Sequence, residues 1–348
     1  MAKKRGFPPN LLQDLSKRSA SNYLNLIRTS RNHRIALALG AGVSASAGLP
    51  SWNKLLKRIC GSFFYHWEFR NQNRGQSLDW PPKEMSIAFA HEFFWSDEAK
   101  EIAESFSNGD ALLVAQQVKN CVRDADWKWL LRRSLYDDED GHPHDGRSSY
   151  LLDTLANTCR SCIGIGSVIN YNYDDLFEKC LVRIGVQHKP IYVEPFFQKP
   201  TLLPIYHPHG FLPLGGGPAE NHFVLAEADY HQHIAEPHSW SNLVQLHTFE
   251  RYSCLFVGAS MVDPAMRRML RLAQTTHNNL HFAFLPVTTP QTDRNMMFDA
   301  LFDRDAFGFG VSVIRYDASE KDGIHHKRLG ELLELLPQCA ADESLLWV

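Results

Sequence analysis

Ile35-Ala36-Leu37-Ala38-Leu39-Gly40-Ala41-Gly42-Val43-Ser44-Ala45-Ser46-Ala47-Gly48-Leu49-Pro50-Ser51-Trp52 passes from five apolar, strand-like residues into a glycine-rich turn and then into a helix-like segment at 53–59. Gly40 and Gly42 let a chain turn tightly and bring backbone N–H groups close to a phosphate, and Ala45 is small enough for the next turn to pack on the strand. N–H groups at the positive end of a helix then meet phosphate charge, so a dinucleotide pyrophosphate is the ligand this turn would cradle. An ordinary tight turn is the other reading of the same residues. A dehydrogenase would place an acidic residue about 20 positions further on to hold the ribose, yet no Asp or Glu occurs between Asp14 and Glu68. Hydride transfer is therefore disfavoured. Lys17, Arg18, Arg28, Arg31, Arg34, Lys54, Lys57 and Arg58 fill that interval. They could draw an anion toward the turn, or form a solvated basic face.

The 348 residues, 44% hydrophobic and 11% aromatic, suffice for a full core, either as one elaborated domain or as two small ones. The expectation is an N-terminal helical extension over 1–33 and one domain over 34–348 that carries a helical insertion at about 60–150. A net charge of −3 gives no global attraction for nucleic acid or an anionic membrane. Seven scattered cysteines suit a reducing compartment better than a disulfide framework, so the expected location is the cytoplasm. Pro8, Pro9, Gln13 and Asp14 interrupt any continuous apolar leader core, and the Gly- and Ser-rich stretch 35–50 reads as strand plus loop, not as a membrane span.

Leu11, Leu12, Leu15, Tyr23, Leu24 and Ile27 make a helix-compatible set within 10–30, expected to dock on the chain's own core. Between 60 and 150 aromatics crowd in, among them Phe63, Phe64, Trp67, Phe89, Phe93, Phe94, Trp95, Trp127 and Trp129, and 98–106 reads as helix. His142 and His144 fall in the polar loop 137–147, which is read as a solvated turn and not as a metal site. After Ser148 the pattern alternates. Helices are expected at 150–158, 174–184, 240–251, 264–273, 292–302 and 325–335. Strands are expected at 163–169, 202–206, 222–225, 254–257, 280–285 and 311–316. Such alternation specifies an α/β, Rossmann-like fold, a mainly parallel sheet with helices on both faces, and ligands gather at the carboxyl ends of its strands.

Three of those ends hold groups with chemical capability: Asn170-Tyr171-Asn172-Tyr173-Asp174-Asp175, His207-Pro208-His209-Gly210, and Gly258-Ala259-Ser260-Met261-Val262-Asp263-Pro264. With the glycine turn they form four polar clusters on one sheet edge. Asn172 is equally a cap for the helix starting near Asp174, and one of His207 and His209 is expected to be structural.

Together these clusters resemble the sirtuin-like (silent information regulator) family over about 34–275. Gly40-Ala41-Gly42-Val43-Ser44 with Gly48-Leu49-Pro50 is similar to the family's NAD-binding opening. Asn172 and Asp174 match its Asn-x-Asp, His209-Gly210 its His-Gly, and Gly258 and Ser260 its Gly-x-Ser, all in the family's order. Phe223-Val224-Leu225 with Asp229-Tyr230, and also Asp263-Pro264, resemble segments of bacterial members.

The resemblance implies NAD as substrate, with Asn172, His209 and Asp174 catalytic and with Gly40, Ala41, Gly42, Ser44, Gly48, Pro50, Trp52, Asn172, Asp174, Gly258 and Ser260 holding it. Chemically, an amide at Asn172 can orient water and contact ribose hydroxyls, an imidazole at His209 can accept a proton near neutral pH, and Asp174 can fix the loop or act by its charge.

Deacylating sirtuins usually carry two Cys-x-x-Cys pairs after the His-Gly, whereas here only Cys254 and Cys339 follow His209. Cys159 and Cys162 form one isolated pair ahead of the Asn motif, so no zinc is expected. Plain hydrolysis is then the more natural reaction. The resemblance implies an NADase of antiphage defence, a homo-oligomer activated by assembly, by a phage-derived signal or by a partner such as a HerA-type ATPase. A zinc-free protein deacylase and a non-catalytic NAD or ADP-ribose sensor are the competing readings. Helix-like residues near the N-terminus and the apolar Leu345-Leu346-Trp347-Val348 are candidate assembly contacts.

Overall fold

In the computed structural model the chain runs α1 (Lys17–Asn32), β1 (Ile35–Leu39), α2 (Ala41–Ala45), α3 (Trp52–Arg74), α4 (Asp97–Ser105), α5 (Asn108–Cys121), α6 (Asp124–Tyr136), α7 (Tyr150–Arg160), β2 (Ile165–Asn170) and α8 (Leu176–Arg183). It continues β3 (His188–Ile191), β4 (Leu203–Tyr206), α9 (Glu227–Ala235), α10 (Trp240–Arg251), β5 (Ser253–Val257), α11 (Pro264–Thr276), β6 (His281–Pro286), α12 (Asp293–Phe307), β7 (Val311–Tyr316) and α13 (Lys327–Ala341). The structure describes residues 15–32, 34–74, 97–122, 124–138, 142–161, 163–194, 202–216, 223–277, 279–318 and 326–342, the side chains of 65–74, 108–110, 125 and 126 excepted.

The seven strands form one sheet in the order β3-β4-β2-β1-β5-β6-β7, and every pairing in it is parallel. This is a Rossmann-like α/β architecture. Ile-Ala-Leu-Ala-Leu alternates across β1, so each face of the sheet takes its own cluster. Ile35, Leu37 and Leu39 pack into a large core with Tyr23 of α1, Leu152 and Leu155 of α7 and Leu332 of α13. Ala36 and Ala38 leave room on the other face for Phe249, Phe256, Met266, Met269 and Phe309.

Register places the site. Leu39 pairs with both Asn170 and Val257, and Ile169 pairs with Tyr206, so β1, β2, β4 and β5 end level with one another. After β1 the chain builds leftward through β2 and β4, then crosses to β5 on the other side of β1. That reversal opens a crevice beyond the carboxyl ends of the central strands.

At the β7 edge, Asn22 Nδ2 donates to Val313 O at 2.7 Å, and the Arg315 N–H donates to Ser19 Oγ at 3.0 Å. These side chains occupy backbone groups that an open edge would leave unpaired. The N-terminal helix thus docks on the chain's own core, with Tyr23, Leu26 and Ile27 fully buried. Leu11 and Leu12 lie outside the described residues.

Two elements differ from the sequence pattern, and one was not foreseen. Residues 223–225 form no strand. Val224 N donates to His209 O, and Val224 O accepts from the Tyr173 hydroxyl, so loops and a side chain take up its backbone groups. The helix after the first turn begins at Trp52, preceded by the five-residue α2. β3 is the unforeseen element, a short edge strand that tolerates Pro190 because an edge needs fewer donors.

Between α3 and α7 the described elements, α4, α5 and α6, are all helical. Phe89, Phe93, Phe94 and Trp95 lie outside the described residues. Among the described residues no helix is long and apolar enough to cross a membrane.

Candidate active site

A cleft of about 640 Å³ opens at the level strand ends, within the range usual for small-molecule sites. All four polar clusters reach it. Its lining includes Gly40, Ala41, Gly42, Ser44, Pro50 and Trp52 from the first turn, Asn172 and Asp174 after β2, His209 after β4, and Gly258 and Ser260 after β5. Gly48 does not line it. That exposed residue has φ +102° and faces the Arg147 guanidinium, so it serves the turn geometry and not the cleft.

The glycines line the cleft and also lock its two turns together. Gly40 N donates to Val257 O at 3.0 Å and Gly42 N to Gly258 O at 2.9 Å, so these amides bind the neighbouring loop and are not aimed at a phosphate. A Cβ at Gly40 would lie 2.5 Å from Ala259 Cα, and one at Gly42 would lie 2.9 Å from Gly258 Cα. Gly258, at φ +66°, returns the constraint, since its Cβ would meet Val43 N at 2.5 Å. The β1 and β5 turns are thus stacked backbone on backbone. Met261, three residues on, also takes a left-handed φ of 60°, unusual for a side-chain-bearing residue.

Asn172 is buried, and its Nδ2 donates to Gly40 O at 3.1 Å, bracing the β2 end against the glycine turn. Its Oδ1 is then the acceptor open to a ligand. Asp174 is buried. Its Oδ1 accepts from Leu176 N at 3.0 Å, with the Ser44 hydroxyl beside it. Burial pushes its pKa up to about 6, opposed by the Ser44 and Leu176 hydrogen bonds. The carboxyl therefore fixes the start of α8 and ties α2 to the Asn172 loop.

The two histidines separate cleanly. His207, 0% exposed, has Nδ1 3.0 Å from Asn172 O and Nε2 2.8 Å from Glu178 Oε1, so it is a strut beneath the site. His209 lines the cleft, with its ring 5.0 Å from that of Tyr171 and 6.1 Å from that of Tyr230. Burial holds its pKa below the ordinary value of 6.5, against the pull of Asp263, which favours the neutral ring at pH 7.

Asp263 is the residue whose role sequence reasoning did not assign. Its Oδ1 caps α11 by accepting from Ala265 N at 2.8 Å and Met266 N at 3.1 Å, while Oδ2 lies 3.3 Å from His209 Nε2. A carboxylate so placed stabilises an imidazolium once it forms. Tyr171, whose hydroxyl donates to Gln245 Oε1 at 2.8 Å, and Tyr230, edge-on to Trp52, complete an aromatic wall. The sequence signal for Asp263 was its place just past β5, at the N-cap of α11.

His144 tethers its loop, with Nε2 2.8 Å from Ala47 O and Nδ1 accepting from Gly146 N. Among the described residues no three His, Cys, Asp or Glu side chains gather as a metal site. Burial raises the Cys159 thiol to about 12, and Cys162 lies outside the described residues.

Fold and site define a Rossmann-like protein whose ligand cleft sits at the carboxyl edge of a parallel sheet, between stacked glycine turns and a His–Asp pair. Comparison with protein families goes one step further: residues 166–301 match the SIR2-like domain, so the chain carries a sirtuin-like domain. The matched span holds Asn172, Asp174, His209, Gly258 and Ser260, while the first glycine turn lies ahead of it. Proteins of this family are generally NAD-dependent enzymes, and an NAD-related activity is what the domain suggests. No curated protein matches the chain.

Proposed function

We propose that the chain is an NAD glycohydrolase that cleaves NAD to nicotinamide and ADP-ribose. The observation that supports this most is the convergence of Asn172, His209 and Asp263 with two glycine turns in one cleft. In the reaction the C1′–N bond breaks, its electron pair stays on nicotinamide, and the pyridinium leaves as a neutral ring. Positive charge develops on the ribose carbon. Water adds there through oxygen, guided by Asn172 Oδ1, and its proton passes to His209, whose imidazolium faces Asp263. Asp174 and His207 position the loop that carries Asn172. Resemblance to antiphage NADases further supports a role as a defence effector held quiet until assembly or a partner activates it.

The test is release of nicotinamide and ADP-ribose from NAD by the purified protein across concentrations, beside Asn172→Ala. The variant should lose on the order of a hundredfold or more in rate, as for a positioned catalytic group. Because Asn172 also braces Gly40, a thermal melt accompanies the assay. Cleavage that survives in a folded Asn172→Ala protein would sink the proposal. Acyl release from acyl-lysine peptides, with no plain hydrolysis, would favour the deacylase reading instead.

A further inference from the structure

Helix α12 turns two of its acidic residues inward and several large apolar ones outward. On its inner side Arg315 of β7 draws in the acidic residues: Arg315 Nε and Nη2 reach Asp303 Oδ1 at 3.0 and 2.8 Å, and Nη1 reaches Asp299 Oδ1 at 3.0 Å. On its outer side Met296 and Met297 are each 56% exposed, Leu301 53% and Phe307 61%. Of the eleven large apolar side chains exposed among the described residues, five belong to this one fifteen-residue helix. Apolar groups gathered this way mark a contact surface, whereas scattered ones need no explanation.

The charges on that face say what covers it. Positions 293, 297, 300 and 304 follow the i, i+4, i+7, i+11 spacing of one helix face. Asp293 stands at its N-terminal end and Arg304 at its C-terminal end, both exposed, about 16 Å apart along the axis. Met296, Met297, Ala300 and Leu301 lie between them.

We infer that α12 is the contact surface for a second copy of this chain, the two helices packing antiparallel about a two-fold axis near Phe298 and Asp299. In that register Asp293 meets Arg304 of the second copy twice over, small Ala300 admits Met297, and Met296 and Leu301, on opposite flanks of the face, each lie on the side of their own symmetry mate. An isologous contact of this kind closes on itself as a dimer. The opposed helix dipoles favour the same orientation. α12 contributes no residue to the lining of the cleft. The contact does not depend on the reaction proposed above.

The experiment is sedimentation velocity of the full chain from about 1 to about 200 µM, the range suited to an interface at the small end of the size scale. The wild type should shift from 39.7 kDa toward twice that mass as concentration rises. Leu301→Arg should remain monomeric, with an unchanged circular dichroism spectrum. Arg304→Asp should weaken assembly about tenfold or more by setting like charges together twice, and Asp293→Arg combined with Arg304→Asp should restore it. A wild type monomeric throughout, or assembly unaffected by Leu301→Arg, overturns the inference. Failure of the double exchange to recover what Arg304→Asp loses overturns the antiparallel register.

Discussion

Replacing Gly258 by alanine tests whether the two glycine turns are locked together. Two costs arise. An L-residue forced to φ +66° costs roughly 1–2 kcal/mol in any surroundings. The new Cβ would also sit 2.5 Å from Val43 N and 2.9 Å from Gly42 C, backbone atoms that cannot turn aside as a side-chain end would. Overpacking of this kind adds typically about 1–3 kcal/mol. Gly185 separates the two, because its φ is +76° but nothing lies within 4 Å of its Cβ position. Both substitutions change the unfolded chain alike. Urea unfolding should therefore show Gly258→Ala less stable than Gly185→Ala by about 1–3 kcal/mol. With a slope of about 3 kcal/mol/M, its midpoint falls roughly 0.3–1 M lower. Equal midpoints for the two variants would refute the interlock, leaving positive φ as the whole effect.

His281 and the strut below the site give two further outcomes. Burial holds His281 down to about 4, and its Nδ1 accepts from Cys254 N at 3.1 Å, so the folded state keeps the ring neutral while the unfolded chain protonates near 6.5. Stability from this residue is full above pH 6.5 and lost as pH falls toward 4, by about 2 kcal/mol between pH 7 and pH 5. Asp137 and Asp174, each pushed up to about 6, act in the opposite sense over the same window, so the measure is the difference from His281→Gln, which should lose about 2 kcal/mol less on the acid side. Glu178→Ala should cost between about 1 and 3 kcal/mol by leaving His207 Nε2 buried without its partner, and Glu178→Gln less. An unchanged unfolding midpoint for Glu178→Ala would show that His207 is no strut.

Much of the fold was legible because burial on both faces of a parallel sheet writes short apolar runs between amphipathic helices. β1 carries the plainest signal, five buried residues followed at once by glycine. β3 is illegible for the converse reason: His-Lys-Pro-Ile sits half-buried at an edge and shows neither a run nor an alternation. Residues 223–225 look like a strand because they are wholly buried, yet they are buried as a loop against Tyr173 and His209.

At the site, residue types at strand ends could be read, since the register brings them level. What one residue does for another could not. Asp263 and His209 are 54 positions apart, and the crossing of the chain from β4 to β5 alone brings them together. His207 and His209 differ by two positions in one loop, and only their surroundings tell the strut from the cleft residue. The glycine turn looked like a phosphate cradle, whereas the nearest constraint on Gly40 and Gly42 is another piece of backbone.

The side chains that close the β7 edge belong to residues 291 and 296 positions earlier in the chain. During synthesis at about 5–20 residues per second, Asn22 and Ser19 therefore emerge some 15–60 s before the strand they will cover. Tyr23, Leu26 and Ile27 have no β7 or α13 to rest on in that interval, so the N-terminal helix is a stopper made long before its bottle. The order carries an advantage for β7, whose cover is already made when it emerges, and a liability for α1, whose apolar side must be sheltered by something else until β7 and α13 have been synthesised.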